Sequence, residues 1–113
     1  MNRDVAVTFL RCFCDGDIDG VAATLSDDFS LEGPLFRFDS RDAYLARLKK
    51  DPPEPCPFRV ISISETADTV AVFYDYEKRS GTVTIAQLFK LDGDKIVEIR
   101  LVFDPQPFSR NRT

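Results

Sequence analysis

Apolar residues recur three and four positions apart over the first fifteen residues of the chain. Val5, Ala6, Phe9, Leu10, Cys12 and Phe13 fall on one face, which predicts an amphipathic helix. Asp15-Gly16-Asp17 stops it, with Gly16 suited to a left-handed cap. Asp17 is placed to cap a second, short helix, in which Ile18, Val21, Ala22 and Leu25 repeat the same spacing. The pattern then becomes alternating. In "DDFSLEGPL", Phe29, Leu31, Gly33 and Leu35 share one side, and Ser30 and Glu32 the other, as in a half-buried strand. Asp39 or Ser40 caps a third helix, which runs to about Lys50 and buries Tyr44, Leu45 and Leu48. "DPPEPCP" ends it, because proline cannot continue a helix and pushes the residue before it to extended geometry.

The second half alternates throughout. "FRVISISE", "DTVAVFYDYEKR", "TVTIAQLFKLD" and "KIVEIRLVFD" read as four strands joined by short turns, with Gly81 and Gly93 at positions that need positive φ. Three helices followed by a curled antiparallel meander make an α+β domain, one domain over residues 1–113. A two-residue Ser80-Gly81 turn would pair Tyr76 with Ile85, Tyr74 with Gln87 and Val72 with Phe89. Paired residues share a face. Val70, Val72, Tyr74, Tyr76, Val83, Ile85, Gln87 and Phe89 then form one side of the sheet, taken as the concave one because Gln87 stands alone among apolar residues. Ala71, Phe73, Asp75, Glu77, Thr84, Ala86, Leu88 and Lys90 form the other. On the last strand, Ile99, Leu101 and Phe103 point inward by alternation, and Glu98 and Arg100 outward.

Composition narrows the chemistry. The chain carries a net charge of −4 and no histidine, so the commonest general base and the commonest transition-metal ligand are missing. No basic face suggests nucleic acid, and no apolar run approaches the roughly 20 residues of a membrane span. The terminal "SRNRT" is read as solubilising, its glycosylation sequon and the PxxP of the proline segment as incidental. Ten phenylalanines and no tryptophan make a core that asks for few polar partners. The cysteines, Cys12, Cys14 and Cys56, are odd in number and lack zinc spacing, and no secretory signal pattern opens the chain; a cytoplasmic protein with Cys12 in the core, no metal and no cofactor is expected.

The order helix, helix, strand, helix, four strands, with the segments "DGDIDGVAATLSDDFSLEGP" and "DGDKIVEIRLVFDP", resembles the nuclear transport factor 2-like (cystatin-like) superfamily over about residues 3 to 108. Within it, the chain is similar to the SnoaL-like polyketide cyclases and ketosteroid isomerases. The resemblance implies a cone-shaped α+β barrel around an apolar pocket. It also implies a homodimer formed through the outer sheet face, where Phe73, Leu88 and Val102 stand among charges. Ketosteroid isomerases use an aspartate base with a tyrosine and a protonated aspartic acid as oxyanion donors. Those positions fall here on Gly33, Phe9 and Gln87, so that chemistry is not expected. Glu32, one residue from the base position, belongs to the opposite face. The cyclase branch implies Asp104 as acid/base, with Gln87 holding a substrate carbonyl.

The reading is therefore a small-molecule-binding domain of unknown reaction. Phe9, Phe13, Leu31, Gly33, Leu35, Tyr74, Tyr76, Gln87, Phe89, Leu101 and Phe103 line its pocket, and the glycine widens the cavity. Two alternatives stand beside it: a cyclase or isomerase using Asp104 and Gln87, and a non-catalytic assembly domain.

Overall fold

Helix α1 (Asn2–Asp15) buries Ala6, Phe9, Leu10 and Cys14. This computed structural model describes residues 2–52, 57–78 and 81–104. Cys56, the PxxP, Pro105 and the arginine-containing tail lie outside them. Cys14, not Cys12, is the deeper thiol. Cys12 is half-buried at the flank of α1, where a Cβ added to Gly20 would stand 2.6 Å from its sulfur. Burial and the neighbouring Asp17 carboxylate push the Cys12 thiol pKa up. The helix ends as its sequence requires. Gly16 adopts φ 74, its amide donates to the Phe13 carbonyl (3.1 Å), and the Asp17 amide donates to Cys12 (2.8 Å).

Asp17 caps helix α2 (Ile18–Thr24), its Oδ1 accepting from the Gly20 amide at 2.9 Å. Leu25, expected on this helix, instead opens strand β1 (Leu25–Glu32) and remains buried. The Gly33 amide donates to the Phe36 carbonyl (2.9 Å) and turns the chain into a two-residue strand β2 (Arg37–Phe38), with Phe38 opposite Leu31. This strand was not anticipated. Its signal is the Gly33-Pro34 breaker between two short extended stretches. Ser40, rather than Asp39, caps helix α3 (Arg41–Lys50), its hydroxyl accepting from Ala43 at 3.1 Å; Tyr44, Leu45 and Leu48 are buried as expected.

Strands β3 (Phe58–Glu65), β4 (Thr69–Lys78), β5 (Gly81–Asp92) and β6 (Lys95–Val102) complete one curved sheet in the order β2-β1-β6-β5-β4-β3. Only β1 and β6 run parallel. The sheet stays open, with β2 and β3 as its edges. α1 packs against β3, β4 and β6, and α3 against β1 and β2, so the helices close the concavity from one side.

The β4–β5 register differs from expectation by two residues. The ladder closes at Lys78↔Gly81, one position earlier than a Ser80-Gly81 turn would place it. Tyr74 therefore faces Ile85, Val72 faces Gln87 and Val70 faces Phe89. A shift of two preserves every side-chain direction. Val70, Val72, Tyr74, Val83, Ile85, Gln87 and Phe89 are all buried, and Phe73 and Leu88 are exposed on the far side. A bulge between β5 and β6 places both Ile96 and Ile99 in the core despite their odd spacing, because Leu91 pairs with Ile96 while Phe89 pairs with Ile99.

Candidate functional site

Between the helices and the concave sheet lies a cavity of about 510 Å³. Helix α1 contributes Phe9, Leu10 and Phe13. Helix α3 and its cap contribute Tyr44, Arg47, Leu48 and Asp51, which share one helical face. The β1–β2 hairpin contributes Leu31, Leu35, Phe36 and Phe38. Strands β4 and β5 contribute Tyr74, Tyr76, Ile85 and Gln87; Leu101 and Phe103 close the wall at the end of β6.

Nine of the eleven residues named as pocket lining from the sequence stand on this wall: Phe9, Phe13, Leu31, Leu35, Tyr74, Tyr76, Gln87, Leu101 and Phe103. Phe89 does not. It is fully buried beneath Phe9, the two rings meeting edge to face at 5.6 Å, and belongs to the solid part of the core. Gly33 does not either. A Cβ there would stand 3.3 Å from the Phe36 ring and 3.4 Å from Leu101. The Gly33–Phe36 hydrogen bond folds the hairpin so that Phe36 takes this space, and the glycine does not widen the cavity. Asp104 is exposed just beyond β6 and is absent from the wall, so the structure does not bring it together with Gln87. Alternation explains this: Phe103 points in and the next residue out. Glu32 is exposed in a separate depression of about 150 Å³ among Arg37, Asp39, Glu98 and Arg100.

Sequence reasoning missed the α3 wall. Tyr44 and Leu48 were read as core, and their spacing to Arg47 and Asp51 was the available signal. Phe36 and Phe38 were hidden by the missed hairpin.

The wall is largely apolar; besides the phenols of Tyr44 and Tyr76 it carries polar groups at two places. Deep inside, the Tyr74 hydroxyl donates to Gln87 Oε1 at 2.7 Å, the two side chains reaching each other diagonally across β4 and β5. This bond fixes the carboxamide and leaves its Nε2 without a hydrogen-bond partner among the described residues. At the rim, Arg47 Nη2 and Asp51 Oδ2 lie 3.5 Å apart, both well exposed. Asp51 is the one carboxylate on the wall among the described residues, and it is paired. No group of three or more metal-ligating side chains occurs among those residues, and no helix there is long and apolar enough to cross a membrane. The arrangement can enclose an apolar molecule and donate hydrogen bonds to it from Gln87.

The profile of the SnoaL-like domain matches residues 6–99. This chain belongs to the SnoaL-like domain family. A search of curated proteins finds no significant match. Among solved structures, the SnoaL-like fold seen here is similar to a nuclear transport factor 2-like protein from Cytophaga hutchinsonii. Identity is 20%, the TM-score is 0.83, and 96% of this chain and 95% of that one are covered. It is also similar to a protein from Kribbella flavida described as a ketosteroid isomerase, at 16% identity, TM-score 0.79 and coverage of 91% and 77%. A third is an LEH-like epoxide hydrolase from M. tuberculosis, at 19% identity, TM-score 0.78 and coverage of 95% and 85%. At such identities the likeness establishes the fold.

Proposed function

We propose that this SnoaL-like domain binds an apolar small molecule in its cavity, with Gln87, oriented by Tyr74, holding the molecule's polar atom. The observation that carries this reading is a buried, hydrogen-bonded tyrosine–carboxamide pair on the wall of an otherwise apolar space. A few placed polar groups in an apolar cleft are the usual build of a small-molecule site. The ketosteroid isomerase reaction is not proposed, although one structural neighbour carries that name. The positions matching its base and donors hold Gly33, Phe9 and Gln87. A positioned base alone contributes about 10²–10⁴ in rate. The cyclase reading through Asp104 lacks support for the same kind of reason: the carboxylate stands off the cavity wall. The unbridged Cys12 thiol favours a reducing compartment such as the cytoplasm.

Thermal shift with a panel of neutral aromatic and polycyclic compounds tests the proposal. A compound at a hundredfold excess over its Kd stabilises the native state by about 2.7 kcal/mol. Gln87→Leu is expected to keep the fold and lose most of that stabilisation. A panel without any shift in the wild type, or an undiminished shift in Gln87→Leu, contradicts it.

A second reading concerns the outer sheet face and is compatible with the first. Phe73, Leu88 and Val102 are exposed on one surface, Val102 to 68%. Four of the charges around them are paired within the sheet, Arg59 with Asp75 and Arg100 with Glu98. Such a face favours a second copy of this chain as its partner.

A further inference from the structure

Tyr44 is a polar residue in an apolar place. It stands on α3 with 5% of its surface exposed, its ring packed against Phe29 and Phe38 at 5.3 and 5.4 Å. Its side chain lines the cavity. Its hydroxyl makes no hydrogen bond among the described residues. Burial pushes the phenol pKa well above its usual value, so the oxygen keeps its proton and remains a donor. The hydroxyl is reached only from the cavity, where a ligand acceptor can pair it. A phenylalanine would pack equally well against Phe29 and Phe38. The hydroxyl therefore has work that the folded chain alone does not reveal.

We propose that Tyr44 is a second ligand anchor, opposite the sheet, and that the ligand is a neutral apolar molecule with two acceptor oxygens, one for Gln87 Nε2 and one for the Tyr44 hydroxyl. This rests on the cavity reading above and extends it from one polar contact to two. Gln87 Nε2 can only donate and the Tyr44 phenol carries a proton to donate, so a ligand that accepts at both satisfies both. Neutrality follows from the wall. Its only charged side chains among the described residues are Arg47 and Asp51, which are at the rim, paired with each other and 61% and 72% exposed. A charged group inside would be desolvated without a counter-ion.

A matched naphthalene series tests the inference on the intact protein: diethylnaphthalene with no acceptor, acetonaphthone with one, diacetylnaphthalene with two, and the naphthalene dicarboxylate as the charged counterpart. Dissociation constants are read by calorimetry for the wild type, Tyr44→Phe and Gln87→Leu. The wild type should bind the diacetyl compound about tenfold more tightly than the mono-acetyl one, and the dicarboxylate more weakly than either. Tyr44→Phe should erase the gain from the second acetyl and leave the mono-acetyl affinity unchanged, while Gln87→Leu weakens both. The ligand-free Tyr44→Phe protein should melt no lower than the wild type, because no internal bond is lost. Equal diacetyl affinity in the wild type and Tyr44→Phe overturns the anchor role, as does a lowered melting temperature of the ligand-free variant. Tight binding of the dicarboxylate overturns neutrality. If even diethylnaphthalene fails to bind the wild type, the cavity reading falls, and this inference with it. Binding of all neutral members without discrimination leaves the cavity reading intact and removes only the two-point contact.

Discussion

Strands β4 and β5 carry two interleaved sets of side chains, one on each face of the same sheet, and the two faces handle polarity in opposite ways. The concave set, Val70, Val72, Tyr74, Ile85, Gln87 and Phe89, is buried and contains no charge. Its polar atoms meet each other across the strands, Tyr74 to Gln87. The convex set mixes Phe73, Ala86 and Leu88 with charges, of which Asp75 closes onto Arg59 and Thr84 within the same face. The concave face excludes charge and keeps a spare donor. The convex face includes charge and engages this carboxylate through both of its oxygens. A surface that retains an unpaired donor in an apolar setting suits a ligand that accepts; one that exposes apolar side chains among paired charges suits a copy of itself.

The largest effect should separate the faces by stability. Phe89→Ala removes a fully buried ring under Phe9 and is expected to cost about 3–5 kcal/mol in urea unfolding. Phe73→Ala, on the other face of the same sheet, should fall within about 0.5 kcal/mol when measured at a protein concentration low enough to keep the chain monomeric. Similar losses at both positions would break the distinction between a core face and a docking face.

The next effect is on assembly. A charge placed in the apolar centre of the convex face, as in Phe73→Asp, is expected to weaken self-association by about 2 kcal/mol or more, which sedimentation equilibrium reads as a change from dimer to monomer. A wild type that sediments as a monomer at micromolar concentration removes the second-copy reading while leaving the concave face untouched.

Much of this contrast was legible in the sequence, because strict alternation determines which face a residue occupies even when the register does not. Tyr74 was expected opposite Gln87 and instead lies diagonal to it, two residues off, yet both stand on the expected face. The helix caps at Gly16, Asp17 and Ser40 were legible for a local reason: each is set by a side chain or a φ value within a few residues. What was not legible depends on the approach of segments distant in sequence. Gly33 reads as an empty place in a strand, and only the return of Phe36 in the hairpin fills it. Tyr44 reads as an ordinary core residue, since no pattern in "RDAYLARL" tells that its face of α3 meets a cavity rather than packed side chains. Asp104 was assigned by likeness to relatives, and the alternation that turns it outward was the better guide.

A smaller effect bears on the polar pair itself. If the Tyr74–Gln87 bond serves the ligand more than the fold, replacing both members by apolar residues of similar shape should be nearly neutral. The double variant Tyr74→Phe/Gln87→Leu is expected to unfold within about 1 kcal/mol of the wild type, and to bind neutral acceptors more weakly than the wild type does. A large stability loss in the double variant would make the pair a structural device and place the convex and concave networks on the same footing.

The smallest effect concerns the convex face and is read through pH. The Asp75 carboxylate accepts from Thr84 Oγ1 at 2.7 Å and from Arg59 Nη2 at 2.9 Å. These bonds, that from Thr84 first, hold its pKa below the ordinary carboxylate value. A depressed pKa means that folding favours the ionised form. Its contribution is present above the unfolded-state pKa and disappears as the pH falls through the folded-state pKa. The stability difference between wild type and Asp75→Asn should therefore be constant near neutrality and shrink on acidification through the carboxylate range. The Arg59 side chain is 79% exposed, so added salt should remove its share and leave that of Thr84. Urea midpoints of the two proteins that stay parallel from neutral to acid pH would show that the carboxylate is not held by its own sheet, and the convex face would then carry a charge free to act on a partner.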